Sequence, residues 1–285
     1  MKNFLSINDV SDLDELLQLA FQCKKHPLLN SSLGKGKTLG LIFMNPSLRT
    51  RLSTQQAAYN LGMNVIVVNV NQDSWQLEFE DGAIMDGTSV EHIKDAARVM
   101  SQYCDIIGIR TFAGLKDREE DYQEQVLNGF VQNASVPIIS LESATLHPLQ
   151  SLADLVTIRE HQLLAKPKVV LSWAPHPKAL PQAVANSFLQ WVSQIDCELR
   201  VTHPAGYELK KEFTNSAQII LDQLEAFQEA DFIYVKNWSS YENYGEVAPS
   251  DGSWTITKEH MALTNQAKFM HCLPIRRNVV AIDEV

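Results

Sequence analysis

What this sequence lacks narrows it before any motif is read. No apolar run approaches the roughly 18 residues that a membrane-crossing helix needs; TLGLIF and NVIVVNV have the length of strands. The four cysteines (Cys23, Cys104, Cys197, Cys272) are scattered, with no CxxC pair. That suits reduced thiols in a cytoplasm better than a disulfide framework or a zinc site. Bases are scarce: 24 Lys and Arg stand against 34 Asp and Glu, and the net charge of −10 disfavours DNA or RNA as a partner. The opening MKNFLSINDVSDLDELL carries acids where a secretory signal would set bases before a long apolar core. No GxGxxG follows a strand and no GxxxxGK[ST] occurs, so a nucleotide-binding reading has no phosphate loop to stand on.

What is present is a chain of 285 residues, 45% hydrophobic, long enough for two domains with sizeable cores. Short β-branched runs alternate with stretches of helical period, which predicts an α/β fold of βα units around parallel sheets. Strands are expected at 38–44, 65–70, 106–111, 137–141, 168–173, 198–203, 232–235 and 269–273. Helices are expected at 47–61, 90–103, 122–132, 148–159, 182–192, 221–228 and 258–266. The strand pattern restarts after LAKPK, which puts a domain boundary near 150–165. Ligands in such folds collect beyond the carboxyl ends of strands.

Four clusters stand at predicted strand ends. SLRTR (47–51) packs two arginines and two hydroxyls where a strand gives way to a helix, whose unpaired N–H groups and partial positive charge suit a phosphate. Arg49 adds a planar fork matched to phosphate oxygens. Ser47 as an ordinary helix cap, with the arginines on a solvated face, is the plain alternative. IGIRTF sets Arg110 at a second strand end. LESATLHPLQ brings Glu142, His147 and Gln150 after a third. There His147 can donate to a carbonyl oxygen, and Gln150 can donate or accept. FMHCLPIRRN ends the last strand with Cys272 and Leu273 before Pro274 forces an exit. Cys272 has no obvious local base, which argues against covalent catalysis.

S-x-R-T-R, H-P-x-Q and H-C-L-P, in this order and at these separations, resemble the aspartate/ornithine carbamoyltransferase family over nearly the whole chain. The resemblance implies two α/β domains, each a parallel sheet flanked by helices, with the active site in the cleft between them. Residues 1–150 would bind carbamoyl phosphate and residues 151–285 the amine, in a cytoplasmic homotrimer serving arginine biosynthesis. Ser47, Leu48, Arg49 and Thr50 would hold the phosphate. Arg110, His147 and Gln150 would hold the carbamoyl end, while Cys272 and Leu273 offer backbone carbonyls to its NH2. Catalysis would fall to Arg49, Thr50, Arg110 and His147, with no cofactor and no metal. Glu78, Glu80, Asp81 and Asp86 would then be solvated or paired with arginines rather than hold magnesium. Trp75, in the same polar loop, would complete the carbamoyl phosphate site of a neighbouring subunit.

The amine follows from a departure. Ornithine enzymes of the family carry an aspartate that faces the α-ammonium; the corresponding stretch here, IYVKNWSSYENYG, carries Lys236. A lysine suits a substrate whose α-nitrogen is acylated and whose charge is negative. SWAPHPKALPQAVANS and the MDG stretch look like the N-acylornithine branch, in which Glu142, His176, Lys236 and Arg276 would bind the acylornithine. The acetyl members carry a glutamate after MDG and the succinyl members a proline; here the residue is Val90, which would not repel a succinyl carboxylate. The wording of LRTRLSTQQAAYNLGMNVIVVNVNQ looks closest to the succinyl branch, so transfer to N-succinylornithine is expected. Acetylornithine, ornithine or a chain that binds without turnover remain alternatives. The family continues beyond a position like Val285 with a strand and a long helix that supply one more arginine, so a C-terminal helix is expected to be missing here.

Overall fold

The computed structural model describes residues 2–70, 72–247 and 253–285. After a 3-10 turn at Ile7–Asp9 come α1 (Leu13–Lys25), β1 (Thr38–Phe43), α2 (Leu48–Asn60), β2 (Asn64–Asn69), β3 (Leu77–Glu78), β4 (Glu91–His92) and α3 (Ile93–Tyr103). Next are β5 (Ile106–Arg110), α4 (Arg118–Gln123), α5 (Gln125–Asn133), β6 (Ile138–Glu142), α6 (Pro148–His161), β7 (Lys168–Trp173) and α7 (Ala183–Val192). The chain ends with β8 (Glu198–Thr202), α8 (Lys211–Thr214), β9 (Gln218–Ile219), α9 (Gln223–Phe227), β10 (Phe232–Lys236), α10 (Lys258–Ala262) and β11 (Lys268–Met270).

Two compact units result: residues 1–113 with 120–149, and residues 114–119 with 150–285. The first holds a sheet in the order β2-β1-β5-β6, with β3 and β4 forming a separate two-stranded piece. The second holds the order β11-β10-β7-β8-β9. Every strand pair is parallel. In β1, Leu39, Leu41 and Phe43 pack with Ala58 and Met63 on one face, while Ile42 packs with Ile107, Ala97 and Phe130 on the other. Burial on both faces is why the run TLGLIF is apolar throughout instead of alternating. In the second unit Val170, Ile233 and Val235 meet Phe227 and Val280 on one face. On that sheet the Tyr234 ring stacks on Phe188 of α7, centroids 4.1 Å apart.

Both sheets reverse direction at an inner strand. The chain leaves β1 toward β2 on one side and returns to β5 on the other; β7 stands likewise between β8 and β10. The carboxyl ends of β1 and β5, and those of β7 and β10, are therefore the places where loops diverge and open a crevice.

The two-domain α/β expectation holds; several elements differ. The helix expected over 90–103 begins at Ile93, because Glu91 and His92 pair as a strand with Leu77 and Glu78. The one expected over 122–132 is broken at Glu124, whose φ of 51° lies in the left-handed region. The last strand stops at Met270 rather than reaching Leu273, and the Leu273–Pro274 peptide is cis. Helix α1 was not expected at all. It is half-exposed and buries only Leu17, so its apolar signal is thin; Asp12 caps its start.

Candidate active site

In the first unit the site starts where β1 ends. Helix α2 follows it directly, with Ser47 in the N-cap position and no acid in the first turn. Ser47 does not act as the cap the plain alternative supposed. Its hydroxyl donates to Thr50 Oγ1 at 2.9 Å, and no side chain closes on the first-turn N–H groups. Arg49 and Leu48 are exposed beside them. This terminus combines free amide donors, two hydroxyls and a guanidinium, a donor set that matches a phosphate dianion.

Arg110 ends the neighbouring strand β5, in register with Phe43 of β1. It is buried, and its Nη1 donates to the carbonyls of Asn45 (3.0 Å) and Pro46 (3.3 Å), the turn that leads into α2. Its Nη2 donates to Glu142 Oε2 at 2.7 Å, and His147 Nε2 lies 3.9 Å from the same oxygen. Ser47, Arg110, Glu142 and His147 thus share one end of one sheet. Glu142, expected beside the acylornithine, sits in this unit as the anchor of Arg110.

The 143–147 loop that carries His147 is held by Glu124. Its carboxylate accepts from Ser143 Oγ (2.5 Å), Thr145 N (2.8 Å), Thr145 Oγ1 (2.6 Å) and Ala144 N (3.2 Å). Swinging the carboxylate onto these donors explains the break between α4 and α5.

The second unit carries a cationic group at the ends of β7 and β10. His176 follows β7 and Lys236 ends β10. Arg276 Nε donates to His176 Nε2 at 3.0 Å, while Nδ1 lies 2.8 Å from the Lys178 carbonyl and 3.1 Å from the Lys178 N–H. Burial, then the charges of Arg276, Lys236 and Lys178, hold the His176 pKa below its ordinary value. His271 is pushed down to about 4, by burial first and Lys236 next. Neutral imidazoles among three cations make an acceptor-poor, positive surface suited to carboxylates.

Gln150, Asp154, Tyr234 and Cys272 form a second group in this unit. Gln150 Nε2 donates to Asp154 Oδ1 at 2.9 Å, one turn along α6. Burial raises the Asp154 pKa to about 7. The fully buried Tyr234 hydroxyl is near enough to Asp154 and Cys272 to act on both, though no full hydrogen bond closes onto it.

The 70–92 loop belongs to the first unit. Trp75 is half-exposed, with Nε1 donating to Glu91 Oε2 at 2.8 Å; the exposed Val90 is tied by its N–H to the Gln76 carbonyl at 3.1 Å. Glu80, Asp81 and Asp86 are solvent-exposed; among the described residues Asp81 pairs with Lys94 at 2.6 Å rather than with an arginine, and Glu78 accepts from the backbone of Phe79 and Glu80. Among the described residues no group of acids, histidines and cysteines could hold a metal ion.

Family models match nearly the whole chain. Residues 2–160 match the carbamoyl-P binding domain of aspartate/ornithine carbamoyltransferases, and residues 181–285 their Asp/Orn binding domain. The chain belongs to the aspartate/ornithine carbamoyltransferase family. Within it, an N-succinylornithine carbamoyltransferase of Bacteroides thetaiotaomicron is 53% identical, covering 100% of this chain and 90% of the relative. An N-acetylornithine carbamoyltransferase of Xanthomonas axonopodis pv. citri is 37% identical, covering 100% and 89%. A crystal structure of an N-acetyl-L-ornithine transcarbamylase superposes with a TM-score of 0.93 at 37% identity, covering 99% of this chain and 91% of that one. That structure is of a Glu-to-Val mutant complexed with carbamyl phosphate and N-succinyl-L-norvaline. Ser47, Arg110, His147 and Gln150 lie within the stretches that carry the family resemblance. Glu124, Asp154, Tyr234 and His271 were missed; only the i, i+4 spacing of Gln150 and Asp154 offered a signal.

Proposed function

We propose that this carbamoyltransferase moves the carbamoyl group from carbamoyl phosphate to the δ-amine of N-succinyl-L-ornithine, giving N-succinyl-L-citrulline and phosphate. The cationic group of Lys236, Arg276 and the neutral His176 carries the reading. It repels a free α-ammonium and attracts the carboxylates of a substrate whose α-nitrogen is a neutral, acid-bearing amide. Val90 supports the succinyl choice. We read it as standing where the acetyl enzyme's glutamate stands, and mutants of such an enzyme in which a glutamate is replaced by Val, Ser, Ala or Pro are each complexed with a succinylated ligand. The 53% identity to a succinyl enzyme points the same way.

In this mechanism the neutral δ-amine attacks the carbonyl carbon. Arg110, His147 and Thr50 donate to the oxygen as it gains charge, and Arg49 with the α2 terminus carries the leaving phosphate. Gln150 and the carbonyls of Cys272 and Leu273 hold the carbamoyl NH2. The departing phosphate takes the amine's proton, since no side chain in the set is an evident base. Glu142 serves by keeping Arg110 aimed. A cytoplasmic homotrimer belongs to the same reading, with the Trp75 of one copy completing the site of the next. The exposed apolar stripe Leu48, Leu52 and Tyr59 on α2, with exposed Ile84 in the loop of Trp75, favours such an assembly.

Assay with ornithine, N-acetylornithine and N-succinylornithine tests the substrate: the succinyl compound should give the highest kcat/KM, and a preference for ornithine would overturn the proposal. Val90→Glu should lower kcat/KM for the succinyl compound at least about tenfold while sparing the acetyl one.

A further inference from the structure

Gln150 is a side chain of the proposed carbamoyl site whose two amide ends differ, one donating and one accepting, so its orientation decides what it recognises. Its amide nitrogen is taken by Asp154 at 2.9 Å. Its carbonyl oxygen meets no donor among the described residues. A carboxylate can only accept, so an ionised Asp154 leaves Gln150 no choice about which end faces inward. The carbamoyl group has the complementary need: its NH2 requires acceptors, and its carbonyl oxygen requires donors.

We infer that Asp154 is a positioning residue: by capturing the Gln150 amide nitrogen it turns the Gln150 carbonyl oxygen toward the ligand, where it selects an NH2 group. The inference rests on the carbamoyl phosphate reading above. Asp154 is buried, and it stays ionisable at physiological pH with no cation paired to it among the described residues. The groups that act on it are Gln150 on its own helix and Tyr234 from β10, beyond which lies Cys272. The Tyr234 ring is fixed against Phe188, so its hydroxyl is held toward the acid. A buried carboxyl with so little compensation is unfavourable for folding, and its retention beside a recognition residue points to a task. Burial lifts the Asp154 pKa to about 7, and the Tyr234 hydroxyl lowers it. Once protonated, the carboxyl offers a donor as well as an acceptor, and the Gln150 amide is free to turn over.

Two isosteric probes separate this role from a merely structural one. Phosphonoacetamide carries the NH2; phosphonoacetone carries a methyl in its place. Their shared phosphonate titrates alike, so the ratio of their Kd values reports the NH2 contact alone. By calorimetry the unaltered protein should prefer the amide about tenfold above pH 7, the worth of one well-made hydrogen bond. That preference should shrink as pH falls through Asp154's range. Asp154→Asn should lower the ratio and remove its pH step. Tyr234→Phe should move the step to higher pH. A ratio that is large and independent of pH in the unaltered protein would overturn the inference, and so would an unchanged ratio in Asp154→Asn. The pH series uses no variant and decides the matter if either fails to fold. If the unaltered protein binds neither probe better than inorganic phosphate at any pH, the carbamoyl phosphate reading itself falls.

Discussion

Arg49 and Arg110 carry the same group in opposite settings. Arg49 is exposed at the start of α2 and has no hydrogen-bond or ion-pair partner among the described residues. Arg110 is buried, with three acceptors on its guanidinium, one of them the carboxylate of the equally buried Glu142. Arg49→Ala should therefore reduce turnover by orders of magnitude while stability moves by about 0.5 kcal/mol or less. Arg110→Ala should abolish turnover and also lower stability by roughly 3 kcal/mol, because it strands a buried charge. Urea unfolding beside a citrulline-forming assay distinguishes the two. Near-normal turnover in Arg49→Ala would remove the phosphate role.

Asp154 adds a pH dependence at the same scale. Its pKa is about 7 in the folded chain against a reference of 3.8. A raised carboxyl pKa means the folded state holds the proton more tightly, so this contribution is fully present below about pH 4. It is lost as pH rises to about 7, by roughly 4 kcal/mol at most. Unfolding of the protein and of Asp154→Asn across that window should show the variant gaining on its parent as pH rises, then running parallel above 7. A constant difference would show that Asp154 does not titrate there. Arg49 as a phosphate candidate was legible because S-x-R-T-R sets it among hydroxyls just after a strand. Asp154 was not, since an acid on a helix reads as solvated until Tyr234, distant in sequence, is seen beside it.

Among the elements, the α4–α5 break shows where helical period misleads. The pattern over 122–132 is apolar at helical spacing and predicts one helix. Nothing in it says that Glu124 has four donors waiting 20 residues or so further on. The local strain of a left-handed glutamate is about 1 kcal/mol, and several hydrogen bonds to a carboxylate outweigh it. Glu124→Ala should thus lower stability by about 2–4 kcal/mol, mainly by leaving the amides of Ala144 and Thr145 unpaired. Because those residues set the path into His147, kcat should fall more than KM rises. Loss of stability with unchanged kcat would confine Glu124 to a structural part. By contrast β1, β5, β7 and β10 were legible to within a residue or two, since a strand buried on both faces leaves an unbroken apolar run. The three two-residue strands have no such signature; they exist only through their partners.

At the scale of the molecule, a protein of net charge −10 still sets Arg49, Arg110 and Lys236 at or just beyond strand ends. Its net field disfavours anions, so on the proposed reading local charge, not a general field, would have to hold the substrates. The trimer reading makes one demand that no single chain can meet: Trp75 must act on a neighbouring copy. Trp75→Ala and Arg49→Ala, each made in separate chains, should both be nearly inactive. Mixed after dissociation and reassembled, some sites would combine an intact Arg49 from one variant with an intact Trp75 from the other. With random mixing in a head-to-tail ring, about a quarter of the sites would be whole. Activity should therefore return to about a quarter of the unaltered protein's on mixing, with no new protein made. If mixing restores nothing although sedimentation shows hybrid assemblies, Trp75 serves its own chain, and the exposed stripe on α2 needs another explanation.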